Sequence, residues 1–249
     1  MKYSILHLEK QIGASITSIH PVLIDTGKEV ILFDAGFPDQ LEDFEKELAL
    51  VASSFPKVTK LVISHQDHDH MGSLRAIKKR FGQIEIIASA LETPYIDGTK
   101  HSLRLVQADA FNQTIKGPYK EFGEKFSAYL RTIEPCPVDT EIVEEGYIAE
   151  GIMAIFTPGH TPGHVSLYLE EKEILLAGDA LAIENSAFVI ANPQFTLDME
   201  QTLASIQKIR DMHPCLIVCY HGGRIDTEVG QKLDELIKKC EKSDTADLK

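Results

Sequence analysis

Leu61-Val62-Ile63-Ser64-His65-Gln66-Asp67-His68-Asp69-His70 joins two kinds of sequence. The aliphatic run at its start reads as a short buried strand, and Met71 to Phe81 after it has helical periodicity. The polar cluster between them therefore occupies a strand-end loop. There, three histidines and two aspartates fall between positions 65 and 70. A loop carried on a rigid scaffold is where such side chains converge on an ion.

The same arrangement recurs further along. Ile152–Phe156 reads as a strand and runs into Thr157-Pro158-Gly159-His160-Thr161-Pro162-Gly163-His164. Ile174-Leu175-Leu176 is followed by Ala177-Gly178-Asp179-Ala180, and Leu216–Cys219 by Tyr220-His221-Gly222-Gly223. Four strand ends thus each deliver histidine or aspartate. Imidazole and carboxylate together are the ligand set of Zn²⁺ and Fe²⁺.

The remainder of the chain supplies a scaffold. Val22-Leu23-Ile24, the turn Asp25-Thr26-Gly27-Lys28 and Val30–Phe33 read as a hairpin. Asp39 and Glu42 have capping-box spacing at the start of a helix over about 40–52. Ile84–Ile87 and Val165–Leu169 are further strands, and Asp198 caps a helix over about 199–212. A last amphipathic helix covers about 227–240, and the polar tail from about 242 to 249 is expected to fray. Residues 91–131 interrupt this rhythm with a helical insertion. Tyr119, Phe122, Phe126 and Tyr129 form a stripe along it that packs the segment onto the body or covers a pocket. Two sheets with helices outside them, in one domain over 1–249, account for the pattern.

Composition narrows the function. The chain has 249 residues, enough for one large core without disulfide staples. Its 38 acidic residues outnumber 25 basic ones, for a net charge of −13. Such a surface repels a phosphate backbone, so nucleic acid is not an expected partner. No stretch approaches a membrane span, and the start has no export-signal pattern. Cys136, Cys215, Cys219 and Cys240 show no metal-binding CxxC spacing. They read as reduced thiols of a cytoplasmic protein.

Taken in order, these motifs resemble those of the metallo-β-lactamase fold superfamily over nearly the whole chain. The family's His-x-His-x-Asp-His loop, lone histidine, bridging aspartate and last histidine fall on His65, Asp67, Asp69 and His70, then His160, Asp179 and His221. Leu32-Phe33-Asp34-Ala35-Gly36 also resembles its early strand-turn motif. The resemblance implies an α/β fold, a four-layer αββα sandwich with two divalent ions at one edge of the sheets. Zinc is the first expectation, with iron or manganese tolerated. One site would comprise His65, residue 67 and His160, the other Asp69, His70 and His221, with Asp179 bridging.

Asp67 stands where the family has its second histidine. A carboxylate still ligates zinc, but it adds negative charge. Two ions bring +4 and Asp67, Asp69 and Asp179 bring −3, leaving +1 where the usual pattern leaves +2. That balance would hold the pKa of a bridging water higher than usual. His68 is expected to be a spacer pointing away from the metals, His164 structural, and Asp34 a hydrogen-bonding anchor.

The resemblance implies a hydrolase in which a metal-bridging hydroxide, oriented by Asp69, attacks a lactone, thioester or other small ester. The substrate is then a small molecule, and a homodimer is left open. Rivals are a di-iron redox enzyme of flavodiiron type, for which Asp67 speaks, and a phosphodiesterase. The first lacks room for a flavin module; the net charge weighs against polynucleotide substrates.

Overall fold

A computed structural model describes residues 1–246. Its frame is a pair of six-stranded sheets. The first runs, in spatial order, through Lys2–Ile5, Val22–Asp25, Val30–Phe33, Lys60–Ile63, Glu85–Ser89 and Thr140–Ile142. The second runs through Gly223–Ile225, Leu216–Cys219, Ile174–Leu176, Val165–Leu169, Ile152–Phe156 and Gly146–Ala149.

Strand alternation explains the layers. In Lys60–Ile63, Val62 faces the second sheet while Leu61 and Ile63 face the helices. Ile31 and Phe33 likewise point inward and Leu32 outward. A strand buried on both faces reads as a continuous aliphatic run, as these do. Phe44 and Leu48 of the helix Leu41–Leu50, with Leu74 and Ile77 of Leu74–Arg80, cover the first sheet. Ile206 and Ile209 of Met199–Asp211, with Leu233 and Leu236 of Val229–Ala246, cover the second. The result is the expected αββα order.

Strand direction places the loops. Val30–Phe33 and Lys60–Ile63 pair in parallel, so the segments after Phe33 and Ile63 leave the same edge. In the second sheet Ile174–Leu176 is parallel to Leu216–Cys219. Two antiparallel steps through Val165–Leu169 bring Ile152–Phe156 into that same direction. The segments after Phe156, Leu176 and Cys219 therefore also share an edge.

Several local expectations are revised. The hairpin Val22–Asp25/Val30–Phe33 forms, with Asp25 accepting from Gly27 N–H at 2.7 Å. The capping box at Asp39 does not: Gln40 takes the N-cap position, and its Oε1 accepts from Phe37 N–H at 2.8 Å. The helix expected over 71–81 is two pieces, His68–Met71 and Leu74–Arg80. Gly72 and Ser73 donate their N–H groups to Gly36 and Ala35 carbonyls instead of continuing the first turn. The last helix, expected over about 227–240, spans Val229–Ala246, and 247–249 of the expected frayed tail lie outside the described residues.

The segment 91–131 contains the helices Thr93–Ile96, Leu103–Thr114 and Pro118–Leu130. Its aromatic stripe divides. Tyr119 and Phe122 are exposed, whereas Phe126 and Tyr129 stand edge-on to the His68 ring at 5.8 and 5.3 Å. No helix among the described residues is long and apolar enough to cross a membrane.

Candidate metal centre

The four strand-end segments meet at one edge of the two sheets, and the seven residues singled out by the sequence come together there. His160 Nε2 lies 3.2 Å from Asp67 Oδ2, and His65 Nε2 lies 3.6 Å from the same oxygen. His221 Nε2 is 3.2 Å from Asp69 Oδ2. Asp179 sits between the two groups: Oδ1 is 3.3 Å from His70 Nε2 and 3.5 Å from His221 Nε2, and Oδ2 is 3.6 Å from His160 Nε2. His65–Asp67–His160, His65–His70–Asp179 and Asp69–His70–His221 are each compact enough to share an ion.

Orphaned polar atoms show what the cluster lacks. His65 Nε2, His70 Nε2, His221 Nε2, Asp67 Oδ1 and Asp179 Oδ1 are buried without a hydrogen-bond partner. Such groups are costly unless something satisfies them. Two to three nitrogens beside carboxylate oxygens, with no alternative partner, fit divalent cations of the zinc and iron type.

Neighbouring residues fix the ring orientations. Asp34 accepts from Ser64 N–H at 2.7 Å, from Ser64 Oγ–H at 2.9 Å and from His70 Nδ1–H at 2.9 Å. Ser64 Oγ, having donated its one proton, accepts from His65 Nδ1–H at 3.0 Å. Both imidazoles thus turn Nε2 toward the cluster. Carboxylate–histidine pairs of this kind orient metal ligands. Asp34→Asn should set an amide N–H against the His70 Nδ1–H. Zinc affinity of the site containing His70 is then expected to fall roughly 10–100-fold. Competition with a chromophoric chelator measures it, and unchanged affinity would reduce Asp34 to a packing residue.

Charge and burial act against each other here. Burial pushes His70 down, but Asp179, Asp34 and Asp69 outweigh it and lift the imidazole well above its ordinary value. Burial would raise the Asp179 carboxyl, yet His221, His70 and His160 hold it well below the usual range. His65 is lowered by burial and by the charge of His70. Asp179 and Asp69 likewise raise His221 against burial, and a bound divalent ion would answer the same carboxylates.

The residues set aside by the sequence also find places. His68 is not among the residues grouped closely enough to share an ion: its ring packs against Phe37, Phe126 and Tyr129, with Nδ1 3.8 Å from Asp69 Oδ1. His164 Nε2 accepts from Asp179 N–H at 3.0 Å, and its Nδ1–H donates to Thr157 Oγ1 at 2.8 Å. Tyr220 is buried and donates its hydroxyl to the Asp69 carbonyl at 2.6 Å, so it is not free for a substrate.

Two participants escaped the sequence reading. Buried Glu92 accepts from Gln66 N–H and Gln66 Nε2–H, both at 3.1 Å, and from Gly163 N–H at 2.8 Å. It ties the loop of 64–70 to that of 157–164. Arg104, 4% exposed, donates from Nε at 3.1 Å and from Nη2 to Asp67 Oδ2. Burial works to raise the Asp67 carboxyl, but this guanidinium, with His160 and His65, holds it well below the usual range. The +1 counted from the sequence thus omits a cation, and with Arg104 the balance returns to +2. Neither residue sits in a motif, so only spatial proximity could reveal it.

Comparison with known proteins bears on the family. The model of the metallo-beta-lactamase superfamily matches residues 17–221. A probable metallo-hydrolase of Bacillus subtilis (strain 168), YflN, is 25% identical over 203 residues, covering 77% of this chain and 75% of that one. An N-acyl homoserine lactonase of Bacillus cereus is 27% identical over 228 residues, 85% of this chain and 83% of its own. Among solved structures, a metallo-beta-lactamase family protein from Thermus thermophilus superposes with a TM-score of 0.73 at 21% identity. The match covers 96% of this chain and 79% of that chain. With the matched region spanning most of the chain and all four motif segments gathered at one sheet edge, this protein belongs to the metallo-beta-lactamase superfamily.

Proposed function

We propose that this protein is a metal-dependent hydrolase of small ester-like substrates, lactones or thioesters, working with two divalent ions, zinc first. The observation that carries the proposal is the paired cluster. His65, Asp67 and His160 would hold one ion, Asp69, His70 and His221 the other, and Asp179 both. Bound there, such ions supply Lewis acidity toward a carbonyl oxygen and water activated near neutral pH.

The chain's own residues do the rest. Asp34, Ser64 and Glu92 hold the ligand loops in place before substrate arrives, which is the condition for a precise site. Asp69, partly exposed beside His221, is placed to accept a proton from an attacking water. Phe126 and Phe195 stack at 6.4 Å, and Phe195 also lies under the Arg104 guanidinium that holds Asp67. They give the site an aromatic wall suited to an acyl or aryl group. Tyr129 is raised above the ordinary phenol value by burial and by the charges of Asp69 and Asp39, so it remains a neutral donor.

The similarity to an N-acyl homoserine lactonase supports lactones among esters. The net charge of −13 weighs against polyanionic substrates. A panel of lactones, thioesters, phosphodiesters and β-lactams on metal-stripped and Zn-, Mn- or Fe-loaded protein tests the proposal. Lactone or thioester turnover only in loaded protein is expected. Turnover confined to phosphodiesters, or equal in stripped protein, would overturn it.

A further inference from the structure

The Arg104 guanidinium is packed against the donors of one metal position and not the other. Nε and Nη2 both donate to Asp67 Oδ2, and Nη2 also lies 3.4 Å from His160 Nε2. Two of the three donors at that position therefore already face a resident cation. The guanidinium is also pinned from behind. Nη1 donates to Gln107 Oε1 at 2.6 Å and to the Phe195 carbonyl at 2.8 Å, while the carbon of the group sits 4.6 Å from the Phe195 ring centroid. With all three nitrogens committed, Arg104 has nothing left for a substrate. It is a fixed charge, since guanidinium does not titrate in proteins.

The other position differs. Asp69, particular to that position, and Asp179, shared by both, pair only with histidines among the described residues, and no Lys or Arg stands against them. A divalent ion entering there meets carboxylates whose charge is uncompensated by any fixed cation. An ion entering at His65, Asp67 and His160 meets a carboxylate already neutralised and a positive charge a few ångströms away. Like charges at that separation repel strongly in a buried setting.

We infer that Arg104 makes the two metal positions unequal: it weakens the site of His65, Asp67 and His160, so the site of Asp69, His70 and His221 fills first. Arg104 is then a positioning residue that acts through Asp67. The pair replaces a neutral histidine by a carboxylate and guanidinium of zero net charge. It keeps the formal balance of the site while lowering the hold on one ion. The inequality of the sites rests on the two-site reading above, and the variants below separate failure of one from failure of the other.

Zinc alone is titrated into chelator-stripped protein, with a competing chromophoric chelator to resolve the steps. The parent should bind two equivalents in a tight and a weak step. Arg104→Met keeps an unbranched stem over Phe195 and removes the charge. Its weak step should tighten by at least about tenfold, with the tight step unchanged within about threefold. Arg104→Lys, which keeps the charge, should stay near the parent. A weak step that is unchanged or weaker in Arg104→Met overturns the inference, as does tightening of equal size in Arg104→Lys.

Because Arg104→Met leaves Asp67 unpaired and buried, its fold is at risk, and a second pair guards the test. Asp67→His alone sets a neutral ring beside an unpaired guanidinium and should lose the weak step. The double variant Asp67→His/Arg104→Met should regain it by about tenfold or more. If the double variant binds no better than Asp67→His, the inference fails. Asp67→Ala addresses the underlying reading: two zinc ions bound as in the parent would show that residue 67 is no ligand, whatever Arg104 does.

Discussion

Asp179→Asn is expected to abolish most activity and one zinc equivalent together, while the protein stays folded. The substitution keeps the shape of the side chain but removes the charge lying between His70, His221 and His160. Under the proposed function this carboxylate is the only group shared by both ions. Loss of residues that merely orient a ligand costs roughly 10–100-fold, so a shared ligand should cost more than about 100-fold in kcat/KM. The backbone contact survives, because it is Asp179 N–H, not its side chain, that donates to His164. Zinc content by elemental analysis, circular dichroism and ester turnover on one preparation decide the matter. Full activity with two bound ions would remove Asp179 from the site.

Gly159→Ala should damage the fold beside the centre strongly. Gly159 has φ +135°, a conformation that L side chains rarely adopt. A Cβ there would stand 2.4 Å from Thr202 N and 2.6 Å from Thr202 Cα, which are backbone atoms at the start of the helix Met199–Asp211. That helix cannot retreat cheaply, since Ile206 and Ile209 are buried against the second sheet. Backbone strain and overpacking each cost about 1–3 kcal/mol, so a loss of about 3 kcal/mol or more is expected. The displaced backbone carries His160, so the weak zinc step should be lost at the same time. Denaturant unfolding measures the first effect and zinc titration the second. A variant as stable as the parent, with both zinc steps intact, would contradict this account.

How far the sequence reached can be seen residue by residue. Continuous aliphatic runs such as Leu61-Val62-Ile63 showed that strands are buried on both sides, because a strand between two layers has no polar face to display. The resemblance to a known family picked out the seven residues, and the structure gathers them because the segments that carry them leave one edge of the two sheets. The resemblance also separated His68 from its neighbours, and the ring packs on Phe37, Phe126 and Tyr129 beside Asp69. Local signals were weaker. The capping pattern at Asp39 was overridden because Gln40 makes better use of its amide, accepting from Phe37 and donating to Glu9. The periodicity from Met71 to Phe81 could not reveal the break at Gly72 and Ser73, whose N–H groups go to a loop far earlier in the chain.

Short-range pattern in the sequence therefore marked the buried strands and the four strand ends that carry histidine or aspartate, and the resemblance to a known family supplied the layer order and the candidate donors. Only the tertiary structure decided how those donors are supported and charged. Asp34 reaches His70 across 36 positions, Arg104 reaches Asp67 across 37, and Glu92 reaches Gly163 across 71. The strand-turn motif marked Asp34 as an anchor but not its partner, and no local pattern marks Arg104 or Glu92, since a carboxylate or guanidinium acquires its role here only by being buried beside a particular partner. The same holds for the electrostatics. A formal sum over the motif counts three carboxylates, but the charge an incoming ion meets includes a cation from a helix in a segment with no motif at all.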